Sequence, residues 1–421
     1  MTLSPSRFRR RLSGRLPLLV VLLVSFMGTV GMGIVFPILP FMVSGILGDG
    51  APVAVWVGVL EAVYALCALV AAPFLGALSD RVGRKPVLVA CLLGTAVGWL
   101  VFGLGGALWA LVLGRVLDGV TGGDMSVASA YLADITPAED RARRFGLVGA
   151  VSGVGFLVGP AIGGLLAPIS LVAPILLAAA VSLVTAALAA FVMPESLAPE
   201  RRTATHVDLA QINPIRTVWG GLRRPVLGPL LIGFGLSCAP LAVLSTNLPV
   251  LAMQHLAWEP MQVGLLMSAV GVTDIIVQGA LLGRMLEAAG PRGVVVGGLV
   301  GQAVASAMLA AVASALALPT VMVAAALLFA TAQGASGAAL QGSISASVPD
   351  AEQGWLAGGM ASIASLIQLV GPVVTGLLYA GVAAWAPYAF VGAALVGAAA
   401  LLRTRLADAP ADAAAAVPAL G

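Results

Sequence analysis

Five ionisable side chains stand inside apolar stretches of this sequence: Glu61, Arg115, Asp118, Asp124 and Asp274. Only 9% of the 421 residues are charged, so each of these placements runs against its surroundings. At the centre of a bilayer such a group costs at least ~2.5–3.5 kcal/mol on insertion scales, and it therefore faces a cavity or a partner. Arg115 and Asp118 are three residues apart, about 60° on a helix, which puts them on one face with Gly119, Gly122, Ser126 and Ser129. That face is expected to line the cavity. On the same continuous helix Asp124 looks roughly the opposite way, towards a neighbouring helix. Glu61 and Arg115 each lie seven or eight residues into helices that enter from the same side, so they reach similar depth and can pair. A carboxylate balanced between burial, which favours its neutral form, and a neighbouring guanidinium, which favours its charged form, can load and release a proton. Glu61 and Asp118 are the candidates to share that role around Arg115, with Asp274 and Asp124 as further candidates. The alternative is a static ion pair that specifies helix packing.

The elements that must hold these groups follow from composition. Sixty per cent of the residues are hydrophobic, and the charged fraction is far below the ~25% of soluble domains, which excludes a soluble globular protein. A bilayer core about 30 Å thick needs roughly 20 apolar residues of helix, and such runs recur along almost the whole chain. The ten-residue alternation of a membrane barrel is absent. Breaks at charged or Gly/Pro-rich points predict twelve spans, at 16–44, 54–75, 86–106, 107–134, 145–167, 172–193, 225–254, 261–283, 293–314, 318–345, 354–380 and 384–402. The first is too long for a signal peptide and carries no cleavage site, so it reads as a retained span. Cys67, Cys91 and Cys238 lie inside spans without metal-ligand spacing, and His206 and His255 are isolated in predicted loops. No metal or other cofactor is expected.

The basic residues orient the spans. With the N-terminus cytoplasmic, Arg7, Arg9, Arg10, Arg11 and Arg15 fall inside, as do Arg81, Arg84 and Lys85 after the second span and Arg141, Arg143 and Arg144 after the fourth. Arg201, Arg202, Arg216, Arg223 and Arg224 follow in the central segment, then Arg284, Arg292, Arg403 and Arg405. Arg115 alone breaks the pattern, from within the fourth span. Both termini are thus expected in the cytoplasm of a cell whose inner membrane holds the chain.

The halves repeat. LVGPAIGGLL at 157–166 returns as LVGPVVTGLL at 369–378, and FLGALSDRVG at 74–83 matches the glycine spacing of LLGRMLEAAG at 281–290. Similarity at one long period marks a duplicated transporter. The expected organisation is a six-helix half at 1–193, a cytoplasmic loop at 194–224 and a second six-helix half with a short tail at 225–421.

At GALSDRVGRKPVL, residues 76–88, the sequence resembles the major facilitator superfamily. Gly76, Asp80, Arg81, Gly83, Arg84 and Lys85 match its motif A, GRVLDGVTGG at 114–123 its motif B, and GAVSGVGFLVGPAIGG at 149–164 its motif C, found in drug/proton antiporters. The resemblance implies the major facilitator fold, twelve helices in two pseudo-symmetric halves. It also implies a conformational latch, in which Asp80 faces the start of the eleventh helix and Arg84 pairs with Asp134. In motif C, Gly149, Gly153, Gly155, Gly159, Pro160, Gly163 and Gly164 are expected to form a sliding interface with the eleventh helix, because small residues let backbones approach and proline permits a bend. The nearest subgroup resembles bacterial tetracycline and multidrug efflux proteins. Those carry an acid where this chain has Gly28, another where it has Gln302, and a histidine where it has Asp274.

The function these readings imply is proton-coupled efflux of small amphipathic or cationic compounds, by a monomer in the lipid bilayer whose partners are the substrate and protons. Nucleic acid and enzymatic chemistry are not expected. Export of a sugar or other metabolite is the alternative on the same fold, and it calls for a richer set of cavity amides and hydroxyls than Thr121, Ser126, Ser129, Asn247, Gln278 and Gln302 supply. A non-transporting sensor would call for a large soluble segment, which neither the 31-residue central loop nor the Ala/Pro-rich end provides.

Overall fold

An unbroken apolar run from Arg15 to Leu47 makes the first helix, α1, whose 33 residues include Pro37 and Pro40. At 1.5 Å per residue it is about 50 Å long, enough to cross the hydrocarbon core with turns to spare. The computed structural model describes residues 15–48, 50–202, 214–225, 227–349 and 352–406. The predicted roles of Arg7, Arg9, Arg10, Arg11 and His206, and of the tail beyond 406, lie outside the described residues. Within them every regular element is helical.

Six helices follow in the N-terminal part: α2 (Val53–Val82), α3 (Arg84–Leu104), α4 (Leu108–Thr121), α5 (Asp124–Ile135), α6 (Arg141–Leu166) and α7 (Ala173–Val192). After the short helix α8 (Pro214–Leu222) come α9 (Leu227–Ala242), a π turn at Val243–Asn247 and α10 (Leu248–Leu256). The chain ends with α11 (Pro260–Ile276), a second π turn at Val277–Leu281, α12 (Leu282–Ser314), α13 (Pro319–Ser345), α14 (Gln353–Gly381) and α15 (Ala386–Arg405).

Ten helical stretches among the described residues are individually long and apolar enough to cross a membrane. That number is consistent with twelve spans, because two joints differ from the simple cut. The fourth span is two short helices, α4 and α5, parted at Gly122 and Gly123. The eighth and ninth run on as one stretch, Pro260–Ser314, turned at Gly290, where φ is 65°. Side chains such as Leu66, Val70, Phe191, Phe390 and Val396 stand exposed along these helices, as a lipid-facing surface requires and a water-facing one seldom allows.

The described residues divide into two compact units. One lies within Met1–Ala51, Val59–Ile212 and Glu259–Ser268; the other lies within Pro52–Gly58, Asn213–Trp258 and Ala269–Gly421. Without a hydrophobic drive between helices in lipid, close backbone approach holds each unit together. In the first, a Cβ on Gly33 would come 3.1 Å from the Gly159 Cα, and one on Gly98 would come 3.1 Å from the Gly114 carbonyl, so α1 meets α6 and α3 meets α4 nearly backbone to backbone. A cluster of Val24, Leu88, Leu92, Tyr131 and Leu132 ties α1, α3 and α5 together at one end. In the second unit α12 closes on α13 at Gly298, where a Cβ would lie 2.5 Å from that of Ser336. There α9 receives Leu402 of α15 over Gly233.

Candidate functional site

Arg115 is the best-enclosed charge of the first unit. It sits on the second turn of α4, 3% exposed, and its guanidinium meets the Glu61 carboxylate of α2 at 3.1 Å and the Asp118 carboxylate, three residues on, at 3.8 Å. Three aromatic rings wall it in, with centroids at 5.5 Å for Tyr64, 5.8 Å for Trp99 and 5.1 Å for Phe102. The planar cation thus has carboxylates at its edge and π faces around it, the two environments that suit a guanidinium out of water. Its Nε has no hydrogen-bond partner among the described residues. Two carboxylates against one guanidinium leave one negative charge, and one bound proton cancels it.

The local sequence explains how these groups meet. Gly98 and Gly114 let α3 and α4 close until Phe102 and Trp99 reach Arg115. Gly119 brings α4 against α2, since a Cβ there would come 2.7 Å from the Cys67 Cβ and the Tyr64 carbonyl. The face carrying Arg115, Asp118 and Gly119 therefore packs on α2 rather than lining an open cavity, a correction to the sequence expectation. Nearby, the Thr95 hydroxyl of α3 is 3.2 Å from that of Thr121 on α4.

Asp124 corrects the helical arithmetic. The break at Gly122 and Gly123 makes it the first residue of α5, so the rotation counted along a continuous helix does not carry across. Its Oδ1 accepts a hydrogen bond from the Met125 N–H at 2.7 Å, and the side chain lines a cavity of about 70 Å³ shared with Gly28, Thr95 and Trp99. Asp274 belongs to the second unit. Its Oδ2 accepts from the Gln278 amide at 2.7 Å, and Oδ1 rests on Gly334 of α13.

The motif A residues form a clamp at the joint of α2 and α3. Arg84 meets Asp80 at 2.7 Å and Asp134 at 3.3 Å, and donates to the Ser79 hydroxyl at 2.6 Å. Arg81 and Lys85 flank it, and nothing lies within 4 Å of a Cβ placed on Gly76. Sequence reasoning missed the piece that closes this clamp. Glu195, just past α7, accepts the Arg84 N–H at 2.8 Å and the Lys85 N–H at 3.2 Å, capping α3, while the Ser196 hydroxyl donates to Asp134 at 3.0 Å. Gly83 makes room for it: φ is 122°, and a Cβ would stand 2.5 Å from Glu195 Oε2.

The motif C glycines divide. Gly155, Gly159 and Gly163 press α6 against α1, and Gly164 meets Pro260, Met261 and Gly264 within the same unit. Pro160 is buried at the Gly33 contact. Gly149 and Gly153 have nothing within 4 Å of a Cβ. The expected sliding face is thus a tight α1 seam for most of its length.

Comparison with known proteins agrees with this architecture. The family profile described as Major Facilitator Superfamily matches residues 21–277 and 230–418. The chain is similar to the tetracycline resistance protein, class C, of Escherichia coli, with 35% identity over 382 residues, covering 90% of this chain and 94% of that one. It is also similar to multidrug resistance protein 2 of Bacillus subtilis, with 26% identity over 268 residues, 63% of this chain and 66% of that one. In fold it resembles the crystal structure of the nucleoside transporter NupG, with a TM-score of 0.72 at 14% identity, covering 93% of this chain and 99% of that one. A helical bundle of membrane-spanning length, a buried charge cluster and a matching profile over nearly the whole sequence lead to one conclusion: the chain belongs to the major facilitator superfamily, as a multi-pass membrane transporter of small molecules and not an enzyme.

Proposed function

We propose that this transporter exports small amphipathic or cationic compounds, drugs among them, in exchange for protons. The observation that carries the reading is Arg115, 3% exposed inside an apolar helix with Glu61 at 3.1 Å and Asp118 at 3.8 Å. A cluster that gains or loses one unit of charge with one proton changes its own cost of burial, which is what couples a proton to a change of access. Glu61 and Asp118 share the proton, Arg115 assists its release, and Asp274 has a lesser part. The resistance proteins among the relatives support drugs as the substrate class.

The six-helix halves, 1–193 and 225–421, are the alternating bodies, with 194–224 as the cytoplasmic loop between them. Gly76, Asp80, Arg81, Gly83, Arg84, Lys85 and Asp134 form the latch on the cytoplasmic side, and Gly149, Gly153, Gly159, Pro160, Gly163 and Gly164 shape the antiporter helix. The protein works as a monomer in the inner membrane with both termini cytoplasmic. It draws on the proton gradient and needs no cofactor.

The test is export in a pump-deficient bacterium against a compound panel, with and without collapse of the proton gradient, for wild type, Glu61→Gln and Asp118→Asn. Gradient-dependent export by wild type and its loss in both variants is the expected result. Normal gradient-driven export in both variants would overturn the proton assignment.

A further inference from the structure

The first unit holds an acid that the Arg115 cluster does not use. Asp124 lines the 70 Å³ cavity whose other walls come from α1, α3, α6 and α7, Met27, Thr95, Trp99, Val181 and Ser182 among them. No lysine, arginine or histidine is among the lining residues. Glu61 and Asp118 both face a guanidinium, whereas Asp124 forms no ion pair among the described residues. Its Oδ1 is held by the Met125 N–H, and Oδ2 faces α1, where Gly28 leaves the space open: a Cβ there would still be 3.9 Å away.

This lining fixes the chemistry of an occupant. One carboxylate without its own cation asks for one positive charge, two hydroxyls supply acceptors for N–H groups, and an indole, a thioether and aliphatic side chains ask for carbon around that charge. Size narrows it further. A cavity of roughly 150 Å³ holds a benzene ring, so one about half as large takes an ammonium with two or three carbons and no ring. Trp99 lines the cavity and its ring also lies 5.8 Å from the Arg115 guanidinium, so an occupant at Asp124 borders the Arg115 cluster through that ring.

We propose that this cavity is a binding subsite for the ammonium head of a small alkylamine, with Asp124 as its counter-charge. The subsite deepens the proposed export of cationic compounds by naming the head group, and it rests on that reading for its role in transport. Its binding is tested apart from transport.

The probe is isopropylammonium, titrated against the purified full chain in detergent by calorimetry, with isopropanol as the neutral control. Saturable binding of the ammonium and not the alcohol is expected, weakened at least tenfold by Asp124→Asn and by Gly28→Val, and unchanged by Gln302→Leu. Gly28→Val keeps the carboxylate and fills the space in front of it, so it decides the matter should the Asp124 variant fail to fold. Absence of binding by wild type, or equal binding by both variants, overturns the subsite even if gradient-driven export is intact. Binding lost in both variants, with no compound exported by wild type, upholds the subsite and overturns the export reading instead.

Discussion

Where the first unit carries Thr95 and Asp124, the second carries Gln302 and Ser336. Thr95 and Gln302 stand 21 residues after the start of one repeated segment, and Asp124 and Ser336 stand 33 residues before the start of the other. In the second unit the pair is hydrogen-bonded: the Gln302 amide donates to the Ser336 hydroxyl at 2.9 Å, and that hydroxyl donates on to the Ala332 carbonyl at 2.7 Å. In the first unit the equivalent place is a cavity edged by an acid, next to an arginine with two carboxylates. The joint between the second and third helices of each repeat differs in the same sense. Gly83 and Gly290 both turn the chain at positive φ, 122° and 65°, but Arg84 is answered by Pro291. Duplication preserved the backbone device in both halves, while, among the described residues, an arginine buried between two carboxylates stands only in the first. At these equivalent places the first half carries charge and the second a neutral hydrogen bond, with Asp274 a separate acid elsewhere in the second.

Removing a charge from the first unit should therefore cost far more than removing a polar group from the second. Arg115→Leu leaves Glu61 and Asp118 facing each other without a cation, and such one-sided loss of a buried pair costs about 3–5 kcal/mol. The expected readout is a large drop in the detergent unfolding temperature and in the amount of folded protein recovered. Glu195→Ala comes next. It frees the Arg84 and Lys85 N–H groups at the start of α3, and a lost cap costs about 0.5–2 kcal/mol, measured in the same assay.

Gln302→Leu should cost no more than ~1 kcal/mol, because it deletes one hydrogen bond and also removes Oε1, an acceptor without a partner among the described residues. Glu352→Ala, which breaks the ion pair of Arg224 on the exposed surface of the second unit, should cost less than ~1 kcal/mol and less still in high salt. A Gln302→Leu loss as large as that of Arg115→Leu would break the comparison between the halves.

Much of this was legible in the sequence because bilayer thickness fixes helix length and charge cannot sit in lipid unanswered. Most spans fall within a few residues of the helices, though α2 runs on to Val82, seven residues past the predicted end at 75, and Arg115 and Glu61 reach one depth by counting from the same side. What escaped depended on tertiary contact or on a local break. Gly122 and Gly123 interrupt the fourth span, so Asp124 could not be placed by rotation at 100° per residue. Glu195 reaches Arg84 across 111 residues, and nothing in its own segment marks it as a cap. The π turns at Val243–Asn247 and Val277–Leu281 shift the register of two further spans without a proline at the turn itself.

The most direct measurement is export by the purified chain in proteoliposomes under an imposed pH gradient, using a compound found active in cells. Wild type and Gln302→Leu should export it at similar rates when the gradient is applied. Glu61→Gln and Asp118→Asn should lose gradient-driven export at least tenfold while retaining exchange without a gradient. Equal gradient-driven export by all four proteins would contradict the account.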